Sequence, residues 1–510
     1  MTITEQYIKR ILSARVYDVS SQTRLHQARQ LSQRLGNNIM LKREDEQSIF
    51  SFKCRGAFNR IYKLQSRQPL AGVIAASAGN HAQGVALTAR ELGLEAVIVM
   101  PVTTPQIKVD AVRSLGAEAI LHGDDFNAAF EQAQHLAVER GFPFIHPFDD
   151  PDTIAGQGTV GVEICQQHPE PLDYVFLPIG GGGLAAGVSA YMKYVRPEVK
   201  VIGVEPVDAA CMHAALAAGE PVDLDQVGLF ADGVAVRRAG AETFKVCRET
   251  LDEVVLITVD EMSTAIKDIF NETRTLTEPA GALAVAGIKK FVAQHHLKDK
   301  NIIAVNSGAN INFDRLRHVA ERAEIGDSRE ALYAVSIPEE PGSFRSFCAS
   351  LGKRSITEFN YRYNPGKVAQ IFVGVELGGG ESARKSLQSE LEKQGYPVLD
   401  MSNNDTAKLH VRHMIGGHAS GEKIRELPER LYRFRFPERP GALLGFLSCM
   451  DDEWNITLFH YRNQGAAYGR VLVGMQIPEN AEQRFQQFLD ELGFAYEDES
   501  DNSAYKRFLI

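Results

Sequence analysis

The feature that constrains this chain first is a rhythm of short apolar runs and amphipathic segments beginning at residue 71. Residues 71–77 are a β-rich run, 79–92 carry a helical period, 94–101 are β-rich again, and 104–115 return to the helical period. A strand at 117–122 and a helix at 126–140 follow, with further strands expected at 174–179, 199–205 and 301–305. Strands apolar on both faces that alternate with amphipathic helices call for a parallel sheet covered on both sides. Residues 1–325 therefore read as an α/β region, long enough for two lobes with a cleft between them.

After residue 325 the character changes. "ERAEIGDSRE" (321–330) has the polarity of a linker, and beyond it the chain repeats itself. "YAVSIPEEPGSFRSF" from Tyr333 pairs with "YRFRFPERPGALLGF" from Tyr432, at an offset of 99. "ITEFNYR" (356–362) pairs with "ITLFHYR" (456–462) at an offset of 100, so one inserted residue separates the two registers. Each copy reads strand, Pro-Gly turn, helix, strand, strand, helix, a split βαβ pattern. The expected organisation is a region of residues 1–325, then two small α+β units at 331–402 and 430–510.

Composition narrows the partners. Among 510 residues, 65 acidic side chains outnumber 55 basic ones, which argues against a nucleic acid or an anionic membrane as the main partner. Cys54, Cys165, Cys211, Cys247, Cys348 and Cys449 are scattered without a C-x-x-C, as in a protein of a reducing cytosol with free thiols. The first residues, "MTITEQY", lack a basic segment followed by an apolar run. The apolar stretch 96–102 falls far short of the roughly 18 residues of a membrane span. The expectation is a cytoplasmic protein with no membrane segment.

Four stretches fall where strands end, the side of a parallel sheet that binds ligands. They are "SFKCRGA" (51–57), "SAGNHAQG" (77–84), "PIGGGGLAAG" (178–187) and "VNSGANIN" (305–312). Gly180, Gly181, Gly182 and Gly183 let backbone N–H groups converge at a helix start, a nest that suits a phosphate. Taken alone, a glycine run serves equally as a tight strand-to-helix turn. The spacing is not G-x-G-x-x-G, so a dinucleotide is the weaker reading. Ser77, Ala78, Gly79, Asn80 and His81 present donors at another helix start, suited to a small carboxylate, although Ser and Asn favour such positions whatever binds nearby. Glu278 in "TEPAGA" reads by itself as a solvated carboxylate, and Ser307 as a turn residue. A lysine beside a phosphate nest points to pyridoxal phosphate held as a Schiff base.

In this order, S-F-K-x-R-G-A, S-A-G-N-H-A-Q-G, G-G-G-G-L-x-x-G, E-P-x-G-A and S-G-A-N resemble the fold-type-II (tryptophan-synthase-β-like) pyridoxal-phosphate enzymes, in their threonine/serine dehydratase branch. The tandem repeats are similar to the ACT-like regulatory pair of the biosynthetic threonine ammonia-lyases, so the likeness spans essentially the whole chain. The resemblance implies that Lys53 carries the cofactor and moves the α-proton. It places Phe52 near the cofactor ring, Asn80 on its 3′-hydroxyl, residues 180–183 on its phosphate and Ser307 at its pyridine nitrogen. Ser77, Ala78, Gly79 and His81 would surround the substrate carboxylate. A hydroxyl at the ring nitrogen need not hold that nitrogen protonated, so loss of the β-hydroxyl competes well against side reactions. The implied activity is deamination of L-threonine to 2-oxobutanoate and ammonia, the first step of isoleucine biosynthesis, with L-serine as a secondary substrate. Isoleucine, with valine opposing it, would act at the repeats, and Tyr361, Arg362, Tyr461 and Arg462 are the candidates for that pocket. The family also implies a homotetramer.

Three positions depart from the family's pattern. Arg24 stands in "QTRLHQA" where T-P-L is usual, Ala280 replaces a frequent serine, and Cys54 follows the lysine where an aliphatic residue is common. "HVRHMIGGH" invites a metal through His410, His413 and His418, but "KLHVRHM" reads as strand and no carboxylate or cysteine completes a set. No metal is expected. Rival readings are serine dehydratase, serine racemase, threonine synthase, or a sensor that has lost catalysis.

Overall fold

A computed structural model describes residues 2–508 except 327–329, 339–342, 353, 355, 363–367, 378–379, 412–428, 438–445, 447–448, 450–453 and 463–467. The chain divides into two compact units, Met1–Ala323 and Glu324–Ile510.

The first unit contains two sheets. Strands β1 (Leu25–Gln27), β2 (Asn38–Arg43), β3 (Gly72–Ala76), β4 (Glu95–Met100), β5 (Glu118–Leu121), β6 (Tyr174–Pro178), β7 (Lys200–Pro206), β8 (Glu253–Ile257) and β9 (Asn301–Asn306) occur in that order. The larger sheet runs β1-β2-β9-β6-β7-β8, parallel except for the short antiparallel β1, and the smaller runs β3-β4-β5, all parallel. Along β2, β3, β4, β6, β7 and β9, every residue after the first is buried, as strands covered by helices on both faces require. The rhythm from residue 71 to 140 is the smaller lobe, and the later strands belong to the larger one.

Periodicity did not point to β2, because Lys42 and Arg43 interrupt its apolar run. Both cations are buried and paired, Lys42 with Glu163 and the Thr23 carbonyl, Arg43 with Asp45. An N-terminal helix, Ile3–Leu12, also went unforeseen; a Thr2–Glu5 capping box starts it, and Tyr7, Ile8 and Ile11 are buried in the larger lobe's core.

The second unit holds the two repeats. The first comprises β10 (Glu330–Pro338), β11 (Ile356–Arg362), β12 (Val368–Glu376) and β13 (Val398–Asp400), antiparallel in the order β11-β12-β10-β13. The second comprises β14 (Glu429–Pro437), β15 (Asn455–Arg462), β16 (Tyr468–Gln476) and β17 (Tyr496–Asp498), in the matching order β15-β16-β14-β17. An irregularity interrupts register at the same place in both copies, between Ile356 and Glu358 and between Ile456 and Leu458.

The likeness extends further than the sequence reading took it. Asp400 accepts from the Ser402 amide and Asp498 from the Ser500 amide, both at 2.9 Å. Each serine hydroxyl then accepts the first strand's amide, Leu332 or Leu431, at 3.0 Å. Asn404 and Asn502 follow at the same offset and touch each other at 3.3 Å. Past Asn404 the chain is helical over Asp405–Leu409, which takes in Lys408 and Leu409 of "KLHVRHM", a stretch expected as strand whose residues 412–414 lie outside the described residues; Asn404 caps that helix through the Ala407 amide. His410 is buried just beyond it, while His413 and His418 lie outside the described residues, as do both Pro-Gly turns.

Candidate active site

Lys53 opens the helix Lys53–Arg67, whose start is stitched to the loop after β9. Ser51 bridges Gly308, the Phe52 amide donates to the Ser307 carbonyl at 3.3 Å, and the Ala309 amide donates to the Phe50 carbonyl at 2.9 Å. One residue beyond Cys54, Arg55 is fully buried between Glu44 and Glu163, at 2.8 and 2.6 Å. Cys54 itself is a neutral filler. It packs with Ile49 and Leu87, accepts from Ser20 Oγ at 3.3 Å, and burial pushes its thiol up to about 11.

Lys53 is treated differently from these neighbours. Among the described residues its Nζ has no hydrogen-bond or ion-pair partner, and the Phe52 ring lies 5.2 Å away. Burial pulls the ammonium down to about 8, opposed by attraction to Glu278. The helix Asn80–Leu92 passes close by, since a Cβ on Gly84 would stand 3.1 Å from the Lys53 carbonyl oxygen.

The glycine run forms the start of the helix Gly183–Val195. Gly182 sits at φ +96°, and Gly181, Gly182 and Gly183 are buried, yet no acceptor among the described residues takes their amides. Phe148 packs behind Gly181 and Gly183, and Val234 behind Gly180, so a Cβ at any of the three would collide or crowd. The contacts continue from this nest to the lysine. Val234 ends a tight turn, Asp232–Val234, whose Gly233 lies against Ala280 and Glu278.

Asn80 is buried. Its Nδ2 donates to Glu278 Oε1 at 2.7 Å, and its Oδ1 accepts from Asn310 Nδ2 at 2.7 Å. Ser307 Oγ is buried with one long contact, 3.5 Å to the Ala280 carbonyl. Ser77 accepts from the Gly79 amide at 3.2 Å, and a Cβ on Gly79 would meet nothing within 4 Å, so this turn borders open space. The His81 ring is committed elsewhere. Its Nε2–H donates to the Ile145 carbonyl at 2.9 Å and burial holds it neutral, near 3, so the donor it can offer an anionic ligand at this helix start is its backbone amide.

Glu278 is where the sequence reading fails most instructively. It is not solvated but 4 % exposed, and its backbone amide donates to the Gly308 carbonyl at 3.1 Å. Burial, with Asp232 adding to it, pushes its carboxyl up to about 7. Asn310, the last residue of S-G-A-N, joins the site through its contact to Asn80. Lys108, from the smaller lobe's helix Gln106–Ser114, pairs with Asp232, which Arg315 also holds at 3.2 Å. Of the departures, Arg24 lies on the surface against Glu46, and the Ala280 methyl lies 3.0 Å from where a Gly233 Cβ would be.

The donors fit pyridoxal phosphate by their chemistry. Three unspent buried amides at a helix start suit a phosphate, an unpartnered amine suits a carbonyl carbon, and a buried hydroxyl and amide suit ring substituents. Fold and site define a pyridoxal-phosphate-dependent enzyme of fold type II. Accordingly, residues 16–308 match the family of pyridoxal-phosphate-dependent enzymes. Residues 321–411 and 420–509 each match the C-terminal regulatory domain of threonine dehydratase. The biosynthetic L-threonine dehydratase of Burkholderia multivorans is 52% identical over 510 residues, 99% of each chain. That of Escherichia coli is 51% identical over 504 residues, 99% of this chain and 97% of the other. The solved processed form of threonine deaminase isoform 2 from Solanum lycopersicum is 48% identical, covers 63% of this chain and 88% of that one, and superposes with a TM-score of 0.62. The chain belongs to the biosynthetic threonine dehydratase family.

Among the described residues no helix is long and apolar enough to cross a membrane. Tyr361, Arg362, Tyr461 and Arg462 lie on β11 and β15, but their side chains fall outside the described residues.

Proposed function

We propose that this chain deaminates L-threonine to 2-oxobutanoate and ammonia, with L-serine as a secondary substrate. The observation that carries the reading is the partnerless Lys53 amine, desolvated and within the field of Glu278. When bound, the cofactor supplies an electron sink for the pair left at the substrate's α-carbon. Lys53 Nζ, pulled down to about 8, holds a sizeable neutral fraction near neutrality and takes the α-proton. Residues 180–183 would hold the phosphate, and Ser307 Oγ would meet the ring nitrogen without the charge a carboxylate would bring. Amides at the start of the helix Asn80–Leu92, with Ser77, Ala78 and Gly79, hold the substrate carboxylate. Water leaves from the α- and β-carbons, and hydrolysis of the resulting enamine releases ammonia, so the reaction needs no oxidant.

The catalytic portion is residues 1–325, and the two regulatory portions are 331–402 and 430–510. Isoleucine inhibits through the repeats and valine opposes it, each by binding two global states unequally. The pair of regulatory-domain matches supports small-molecule control, and the arginines of β11 and β15 are the proposed contacts. The protein works as a cytoplasmic homotetramer. The deciding experiment measures 2-oxoacid release from threonine and serine side by side, with and without isoleucine and valine, in wild type, Lys53→Ala, Arg362→Ala and Arg462→Ala. Turnover surviving in Lys53→Ala sinks the catalytic reading. Isoleucine inhibition unchanged in both arginine variants removes those residues from the effector site.

A further inference from the structure

The Asn80 side chain is clamped from both sides by partners that admit one orientation of its amide. The Ile49 carbonyl can only accept, and it takes one N–H of Asn310 Nδ2 at 2.8 Å. That fixes the Asn310 amide, whose Nδ2 also faces Asn80 at 2.7 Å and presents a donor there. Asn80 must answer with Oδ1, which turns its Nδ2 towards Glu278 Oε1, at 2.7 Å. A flipped Asn80 would set two donors against each other on the Asn310 side and, whenever Glu278 is ionised, two acceptors on the other. The Gly308 backbone lies close against Glu278, since a Cβ there would stand 2.5 Å from its Oε1, and the Glu278 amide is bonded to the Gly308 carbonyl. With these bonds made, Asn80 keeps one unspent N–H.

We propose that Glu278 and Asn310 are positioning residues that hold the Asn80 amide in a single orientation, so that it presents a donor to the cofactor's 3′-oxygen. This rests on the reading above that Asn80 meets that oxygen. A donor there favours the ionised 3′-oxygen over the protonated one. In the cofactor-loaded enzyme the two forms absorb in different bands, visible for the ionised form and near-ultraviolet for the protonated form.

The test records the ratio of these bands at fixed pH in the loaded wild type, Asn80→Ala, Asn310→Asp, Glu278→Ala and Glu278→Gln. Bound cofactor is measured separately after alkaline release, and folding by circular dichroism. Asn310→Asp replaces the donor that orients Asn80 with an acceptor, and Glu278→Ala removes the opposite anchor. Each is expected to shift the ratio towards the near-ultraviolet band by roughly tenfold, the worth of a hydrogen bond to a charged group. Glu278→Gln, which still offers an acceptor, restores most of the visible band. If Asn80→Ala moves the ratio while Asn310→Asp and Glu278→Ala leave it unchanged at full cofactor content, the positioning role is overturned and the Asn80 contact stands. A ratio unmoved in Asn80→Ala overturns the contact itself, and the proposal with it. Glu278→Gln falling as far as Glu278→Ala overturns the acceptor role of Glu278.

Discussion

Replacing Lys53 by methionine should make the cofactor-free protein more stable, although the role proposed for Lys53 expects it to abolish activity. Methionine keeps much of the side chain's length and removes the charge. In the unfolded chain the lysine titrates near 10.5, and in the fold burial pulls it down to about 8. At about 1.36 kcal/mol per pH unit, holding this ammonium in the folded protein costs about 3 kcal/mol. The sign follows from proton counting. Between pH 8 and 10.5 the unfolded state binds the proton and the folded state does not, so wild-type stability rises with pH across that window. The deficit is complete below about 8 and vanishes above 10.5. Urea unfolding of both cofactor-free proteins, followed by far-ultraviolet circular dichroism from pH 6 upward, should show the variant's advantage largest near neutrality and closing towards pH 10.5. Trp454, the sole tryptophan, lies in the C-terminal unit and reports that unit separately by fluorescence. A variant no more stable than wild type at pH 7, or an advantage independent of pH, would refute the argument that Lys53 is a desolvated, partnerless amine. Adding the cofactor should reverse the order, because only wild type can bind it covalently.

Gly182→Ala forces a Cβ onto φ +96° and to within 2.7 Å of Met212 Cε, so the left-handed backbone alone costs about 1–2 kcal/mol; cofactor titration of the variant should show sharply weakened binding, and unchanged affinity would count against the nest. Lys108→Met removes a partly buried pair between the lobes worth roughly 1–2 kcal/mol. It should raise KM for threonine by about tenfold with a smaller change in kcat, so an unchanged KM discards the pair as a determinant of substrate binding. A thiol reagent added to the native protein should modify exposed Cys449 and leave buried Cys54 intact, as peptide mapping would reveal; prompt labelling of Cys54 would contradict its burial.

The parts of this chain legible in sequence are those governed by local rules. The alternation from residue 71 to 140 announced a parallel sheet because strands covered on both faces are mostly apolar, and the glycine run offered a nest because few other sequences permit one. The misses share another cause. Lys42 and Arg43 disguised β2, and Glu278 passed for a surface carboxylate, because a buried charge is recognisable only once its distant partner is known. Those partners, Glu163 for Lys42 and Asn80 for Glu278, lie 121 and 198 residues away. The Asp400-x-Ser402 and Asp498-x-Ser500 pairs were in plain view, but their meaning depends on a strand end about 70 residues upstream.

The stretch "SFKCRGA" places two cations two residues apart, Arg55 buried and Lys53 half-buried, and treats them in opposite ways. Arg55 is held by Glu44 and Glu163, contacts that keep it charged and chemically inert. Lys53, with no anion bonded to it among the described residues, has its proton affinity lowered by burial, as the nucleophile and base proposed for it requires. Glu278 offsets that fall only in part, and a carboxylate bonded directly to the amine would raise its proton affinity further. The same substitution at the two positions should therefore act with opposite sign. Arg55→Met strands the carboxylates of Glu44 and Glu163 in the interior with only Lys42 nearby, at a cost of roughly 3–5 kcal/mol. Lys53→Met relieves a desolvated charge and stabilises. Parallel denaturant titrations of the two cofactor-free variants decide the matter, and shifts of the same sign would mean that burial and not pairing governs both sites.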